Sequence, residues 1–158
     1  MESEQVQATL TLAVPATTIF ALLTDPAHHA VIDGTGWVCA PVDTAHLTTT
    51  GQIFRMGMFH PNHPDGRYEM ANKILTFDPP HAISWQPGYE TGDGTLAFGG
   101  WVWRYDLVAV DATHVKVTLS YDWSAVPEDV RRTGPDFPPF PPDHLTNSLA
   151  HLAELAGA

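Results

Sequence analysis

Three features of this 158-residue chain point to an α+β fold in which one strongly curved antiparallel sheet closes around a C-terminal helix. Between residues 36 and 123, apolar side chains recur at every second position in run after run, the period of strands with one buried face. Dense turn signals separate the runs: Asp33-Gly34, Pro61-Asn62-His63-Pro64-Asp65-Gly66, Asp78-Pro79-Pro80 and Asp111 to Thr113. Helical spacing is confined to the two ends of the chain, so the helices cover one sheet face as blocks instead of alternating with strands.

Residues 5–14, QVQATLTLAV, alternate as a first strand with Val6, Ala8, Leu10 and Leu12 on one face. Pro15 suits a first helical turn, and Ile19, Phe20, Leu22 and Leu23 make an apolar stripe behind it. Asp25-Pro26 stops that helix, because a residue before proline avoids the helical region. A second short helical turn is expected over 27–31, and a short strand over 36–42. Residues 51–60 place Phe54, Met56, Met58 and His60 on one face. The run 67–77 returns as its hairpin partner, with Tyr68, Met70, Asn72 and Ile74 inward.

AISWQ (82–86) is a further short strand, and the glycine-rich segment 88–100 reads as a loop. The last two strands are 101–109, with Trp101, Trp103, Tyr105 and Leu107 on one face, and 115–123, with Val115, Val117, Leu119, Tyr121 and Trp123. Five of the 14 prolines fall in PDFPPFPP (135–142), a rigid extended connector. An amphipathic helix carrying Leu145, Leu149, Leu152 and Ala156 follows it. The expected sheet therefore has seven strands, with one or two short helices after the first, in one domain covering 1–158.

Composition narrows the function classes. Seven Lys/Arg against 18 Asp/Glu leave a formal charge of −11, which repels a phosphate backbone. Arg131-Arg132 has no third cation beside it, so nucleic acid and anionic membrane are poor partners. No run approaches the roughly 18 apolar residues of a membrane span, and MESEQVQATLTL lacks the basic and apolar regions of a secretory signal. Cys39 is the only cysteine, which fits a reducing cytoplasm.

Several segments together resemble a known superfamily: VPATTIFALLTDP (14–26), DGTGWV (33–38), GQIFRM (51–56), YEMANKILTFDPPHAISWQPG (68–88), WRYDLVAV (103–110), VKVTLSYDWS (115–124) and the final HLTNSLAHLAELA. In this order they resemble the START/SRPBCC superfamily of helix-grip proteins, close to its polyketide cyclase/dehydrase-like branch. The resemblance implies the helix-grip fold. It also implies a central cavity of the kind that holds lipids, sterols, hormones or polyketides, in some members with cyclisation or dehydration of the ligand. Function lives in the site and not in the fold.

Trp85, Trp101, Trp103, Tyr105 and Tyr121 share the apolar parity of their strands. They read as the lining of a pocket for a flat apolar ligand, or as ordinary core. His60 ends its strand on the face of Met56 and Met58, with Tyr68 opposite. There it is either an acid–base group at a pocket mouth or a solvated hairpin histidine. His60 and His63 have HxxH spacing, but Pro61 and Pro64 forbid the helix that would align them, so no metal is expected.

Asn72 is polar on an apolar parity and must bond either backbone or ligand. Asp33 is a proton acceptor at the entrance or simply a turn-former with Gly34. His144 and His151 share one helix stripe; His144 reaches the cavity from the helix start, or both face solvent. Arg55 and Asp122 face outward by alternation, and nothing cationic near Cys39 makes it a nucleophile. No GxSxG elbow or phosphate loop occurs, and GDGTLAFGG is not GxGxxG.

The resulting expectation is a cavity protein for a hydrophobic, aromatic or polyketide-like molecule, without cofactor or metal. His60, Tyr68 and Tyr105 are its catalytic candidates. Asp33, Phe54, Met56, Met58, Met70, Asn72, Trp85, Trp101, Trp103, Tyr121 and His144 are its ligand-contacting candidates. The competing expectations are a non-catalytic carrier with the same pocket and a protein–protein adaptor with a filled interior.

Overall fold

The computed structural model describes residues 4–33, 37–43, 45–60, 66–133 and 137–158. The two-residue period produces strands β1 (Gln5–Leu12), β2 (Val38–Pro41), β3 (Ile53–Phe59), β4 (Arg67–Asp78), β5 (Ala82–Glu90), β6 (Leu96–Phe98), β7 (Val102–Asp111) and β8 (His114–Asp122). Helices α1 (Ala16–Leu23) and α2 (His29–Ile32) flank a 3₁₀ turn at Pro26–His28; α3 (Glu128–Thr133) and α4 (His144–Ala156) follow the sheet. All pairings are antiparallel, in the order β1-β8-β7-β5-β4-β3-β2, with β6 added on β5.

The sheet has eight strands, not the expected seven, because the segment 88–100 is not all loop. β5 runs on through Pro87 to Glu90, and β6 folds back to pair Gly88 with Phe98 and Glu90 with Leu96. Proline lacks a ladder donor and is tolerated where no partner is required. Pro87 falls between the end of β5's pairing with β7, at Trp85↔Trp103, and the start of its pairing with β6, at Gly88↔Phe98. Gly88 permits the close return, since a Cβ there would lie 2.8 Å from the Ala97 carbonyl oxygen and 2.6 Å from the Phe98 ring.

Helix α3 was also unexpected, because EDVRRT carries one apolar residue and no stripe. Glu128 and Asp129 in its first turn and Arg131 and Arg132 in its last match the helix dipole. The Arg131 guanidinium donates to the carbonyls of Val126, Trp123 and Ser124 and pairs with Glu4, tying α3 to the end of β8 and the start of β1.

Helix α4 packs on β1 and β8 and against α1 and α2. Leu145, Leu149 and Leu152 form its buried stripe, facing a core that includes Ile19, Leu23, Val115, Val117 and Leu119. Gly157, in the left-handed region at φ 73°, ends the helix. Among the described residues no helix is long and apolar enough to cross a membrane.

Three substitutions test this packing. Leu152→Ala removes a side chain with no solvent exposure and is expected to lower unfolding free energy by about 2–5 kcal/mol in urea titrations. Val110→Ala, at a position 61% exposed, is expected to change it by less than about 0.5 kcal/mol. Gly88→Ala is expected to destabilise by about 1–3 kcal/mol, because the new methyl meets backbone as well as the Phe98 ring.

Candidate functional site

Helix α4 leaves the β3–β4–β5 side of the concave face uncovered, and a cavity of about 700 Å³ opens there. Strand alternation decides its lining. β3 contributes Met56 and Met58, β4 Tyr68, Met70 and Asn72, β5 Trp85, Pro87 and Tyr89, β7 Trp103 and Tyr105, and β8 Leu119 and Tyr121. Cross-strand register seats these side by side: Met56↔Met70, Met58↔Tyr68, Asn72↔Pro87, Trp85↔Trp103 and Trp103↔Tyr121. The helices close the other side with His29, Ile32 and Asp33 from the α2 region and with His144 and Ser148 from α4. Phe137, Pro139 and Phe140 of the proline-rich connector complete it.

Of the residues singled out from sequence, Asp33, Met56, Met58, His60, Tyr68, Met70, Asn72, Trp85, Trp101, Trp103, Tyr105, Tyr121 and His144 reach this lining. Phe54 does not. It has the inward parity, but the rings of His29 and Trp85, 5.4 and 5.9 Å away, cover it, and it is 1% exposed. Arg55 lies on the outer side with Asp43 at 3.6 Å and Glu90 at 3.4 Å. Arg55 and Glu90 border a second, open groove of about 860 Å³ that shares Met58, Tyr68, Met70 and Tyr89 with the cavity. His63 lies outside the described residues.

The aromatic rings of the lining touch in two groups. Trp85 and Tyr105 stack at 6.1 Å, Trp103 and Phe140 at 5.5 Å, and Tyr121 lies 4.6 Å from Trp103. Asn72, 6% exposed, sets a carboxamide among these rings. Burial raises the pKa of the Tyr105, Tyr121 and Tyr68 hydroxyls, and the Asp33 charge adds to the effect at Tyr105 and Tyr68. All three stay protonated and able to donate.

The sequence offered a solvated helix face for His144, and the structure buries that residue. The connector folds Phe140 over its ring at 4.8 Å, and Trp103 meets it at 5.4 Å. Its Nε2 lies 3.9 Å from Oδ1 of Asp33, both side chains being 7% exposed, and its Nδ1 is buried without a hydrogen-bond partner. Asp33 is positioned by the end of α2, where its Oδ2 accepts the Val38 N–H at 3.1 Å. Burial lowers the His144 pKa, against the opposing pull of Asp33 and Asp143, and keeps the ring neutral at neutral pH. His151, also expected in solvent, is half-buried, with Nδ1 3.2 Å from the Ile32 carbonyl oxygen.

Sequence reasoning missed His29, Trp37 and the connector aromatics. His29 shares a helical face with Ile32 and Asp33, a spacing that would have marked it. Its Nε2 lies 2.9 Å from the Leu23 carbonyl oxygen, and burial lowers its pKa. Trp37 follows the Asp33 turn directly and packs its ring 4.6 Å from His60.

No protein family's profile matches the chain. The chain is 23% identical over 121 residues to Rv0088, an uncharacterized protein of Mycobacterium tuberculosis, covering 77% of this chain and 48% of that protein. It thus spans about half the length of that curated relative. Protein Ms6760 from Mycobacterium smegmatis superposes with a TM-score of 0.68 at 18% identity, over 98% of this chain and 92% of that one. A protein from Arthrobacter aurescens gives 0.67 at 12% identity, over 98% and 87%. Norcoclaurine synthase from Thalictrum flavum, solved in complex with dopamine and hydroxybenzaldehyde, gives 0.60 at 14% identity, over 96% and 84%. At these identities the likeness is one of fold: the chain has a helix-grip fold, its antiparallel sheet curved around the C-terminal helix.

Proposed function

We propose that the chain binds a hydrophobic aromatic small molecule in its central cavity, as a relative of the START/SRPBCC proteins in their polyketide cyclase-like branch. One observation carries this reading: aromatic rings around about 700 Å³ share the cavity lining with the carboxamide of Asn72, only 6% exposed. A buried amide needs partners, at about 1–3 kcal/mol for one left unmade, so a carboxamide on the cavity lining beside Met70, Trp85 and Pro87 favours a ligand that bonds it. Norcoclaurine synthase, with dopamine and hydroxybenzaldehyde in its structure, supports an aromatic occupant for a fold of this kind. The adaptor reading called for a filled interior, and the open cavity argues against it.

A catalytic form of this reading rests on Asp33 and His144. A neutral imidazole beside a buried carboxylate is able to take a proton from a bound phenol or enol, while a protonated Tyr105 donates to the developing oxyanion. Cyclisation or dehydration by acid–base chemistry has these requirements. His60 and Tyr68, near the β3–β4 hairpin end, are the further candidates for proton transfer. A carrier uses the same cavity without turnover, and product analysis with a bound aromatic ligand separates the two.

Naphthol is expected to bind with one site per chain in calorimetry. Asn72→Leu is expected to weaken that binding about tenfold, or about 1.4 kcal/mol, while leaving unfolding stability unchanged or raised. Equal affinity in the variant removes Asn72 from the site.

The histidines add a pH test. His29 and His144 have lowered folded-state pKa values, so below about pH 6.5 the unfolded chain takes up protons that the folded chain refuses. Stability is expected to fall as pH drops from about 7.5 to 5.5, by up to about 1.4 kcal/mol per pH unit for each histidine. His144→Gln is expected to make that slope shallower in denaturant titrations, and an unchanged slope would show that His144 titrates normally.

A further inference from the structure

The chain's seven cations are all among the described residues, and none lines the cavity. Arg55 pairs with Asp43 and Glu90, Arg104 with Asp106 and Arg131 with Glu4. Lys73 has the parity opposite to Asn72 and Ile74, and Arg67, Lys116 and Arg132 are exposed. Among the described residues the lining contains one carboxylate, Asp33, whose side chain is 7% exposed. Its charge is felt at Tyr68 and Tyr105, and its neighbour His144 sits against Trp103. The surrounding field has the same sign, since the formal charge of the chain is −11.

We propose that the cavity selects an organic cation, an amine carried on an aromatic body, with Asp33 as its counter-ion, and rejects carboxylates and phosphate esters. The inference rests on the cavity being a binding site for aromatic molecules, and it names the charge class of the occupant. A carboxylate entering this cavity gives up its water, meets no Lys or Arg and faces Asp33 at short range, where low dielectric strengthens repulsion. An ammonium meets the opposite arrangement. Asp33 neutralises it, the protonated Tyr68 and Tyr105 hydroxyls offer lone pairs, and Trp103 and Trp37 line the same cavity with electron-rich rings. Burial holds His144 neutral at neutral pH, so it does not cancel the Asp33 charge. The acidic exterior attracts cations toward the mouth and repels anions.

Naphthylethylamine, naphthylethanol and naphthylacetate share one aromatic body and differ in charge, so their affinities at about pH 7.5, read by calorimetry, test the proposal. The amine is expected to bind at least about tenfold more tightly than the alcohol, and the carboxylate more weakly than both. Asp33→Asn is expected to erase most of the amine's advantage over the alcohol, with an unchanged circular-dichroism spectrum reporting that the variant is folded. An amine no tighter than the alcohol, or a carboxylate as tight as either, overturns cation selection and leaves the aromatic cavity standing. Failure of all three to bind overturns both readings. The series in the unsubstituted protein decides between these outcomes even where Asp33→Asn does not fold.

Discussion

One helix cannot cover this sheet. A helix is about 10 Å across with its side chains and strands are spaced about 4.8 Å apart, so a single helix shields roughly two strands. Helix α4 spends that width on β1 and β8. The remaining concave face, from β7 through β5 and β4 to β3, has no helix long enough to fill it. Curvature turns that deficit into an enclosure, and the short α2 and the connector through Phe137 and Phe140 close it. The cavity is thus a consequence of covering a wide sheet with one helix.

That deficit explains where the large side chains sit. Trp85, Trp103, Tyr105 and Tyr121 project from neighbouring strands and pair stacked or tilted, Trp85 with Tyr105 and Trp103 with Tyr121, so each ring is held in part by its neighbour in the sheet. Long rigid rings can form such a wall because each gains contact from its cross-strand neighbour. Leu and Val at the same positions are too short to meet across the gap. The polar groups, Asn72 on the sheet and Asp33 and His144 on the helical side, lie around this cavity, where a low dielectric makes each of them costly alone and strong toward a matching ligand.

Much of this was legible in the chain. The inward rows from β3, β4, β7 and β8 follow from parity alone, because successive side chains in a strand alternate faces whatever surrounds them. The helical ends were legible from the Ile19–Leu23 and Leu145–Leu152 stripes. The course of β5 was not, since Pro87 and Gly88 signal a break, and only the change of neighbour from β7 to β6 leaves the proline unpaired on that edge while β4 pairs with it on the other. Phe54 shows the limit of parity, which assigns it the inward face but does not say that His29 lies above it.

Local spacing therefore carried the strands, their inward faces and the aromatic character of the interior, since these depend on backbone geometry within a few residues. Which polar groups meet depended on pieces far apart in the chain. Asp33 ends α2, His144 begins α4, and Phe140 folds over that histidine from a proline-rich segment with no period of its own. Their meeting is set by where α4 docks on β1 and β8, a long-range packing outcome that no local pattern encodes.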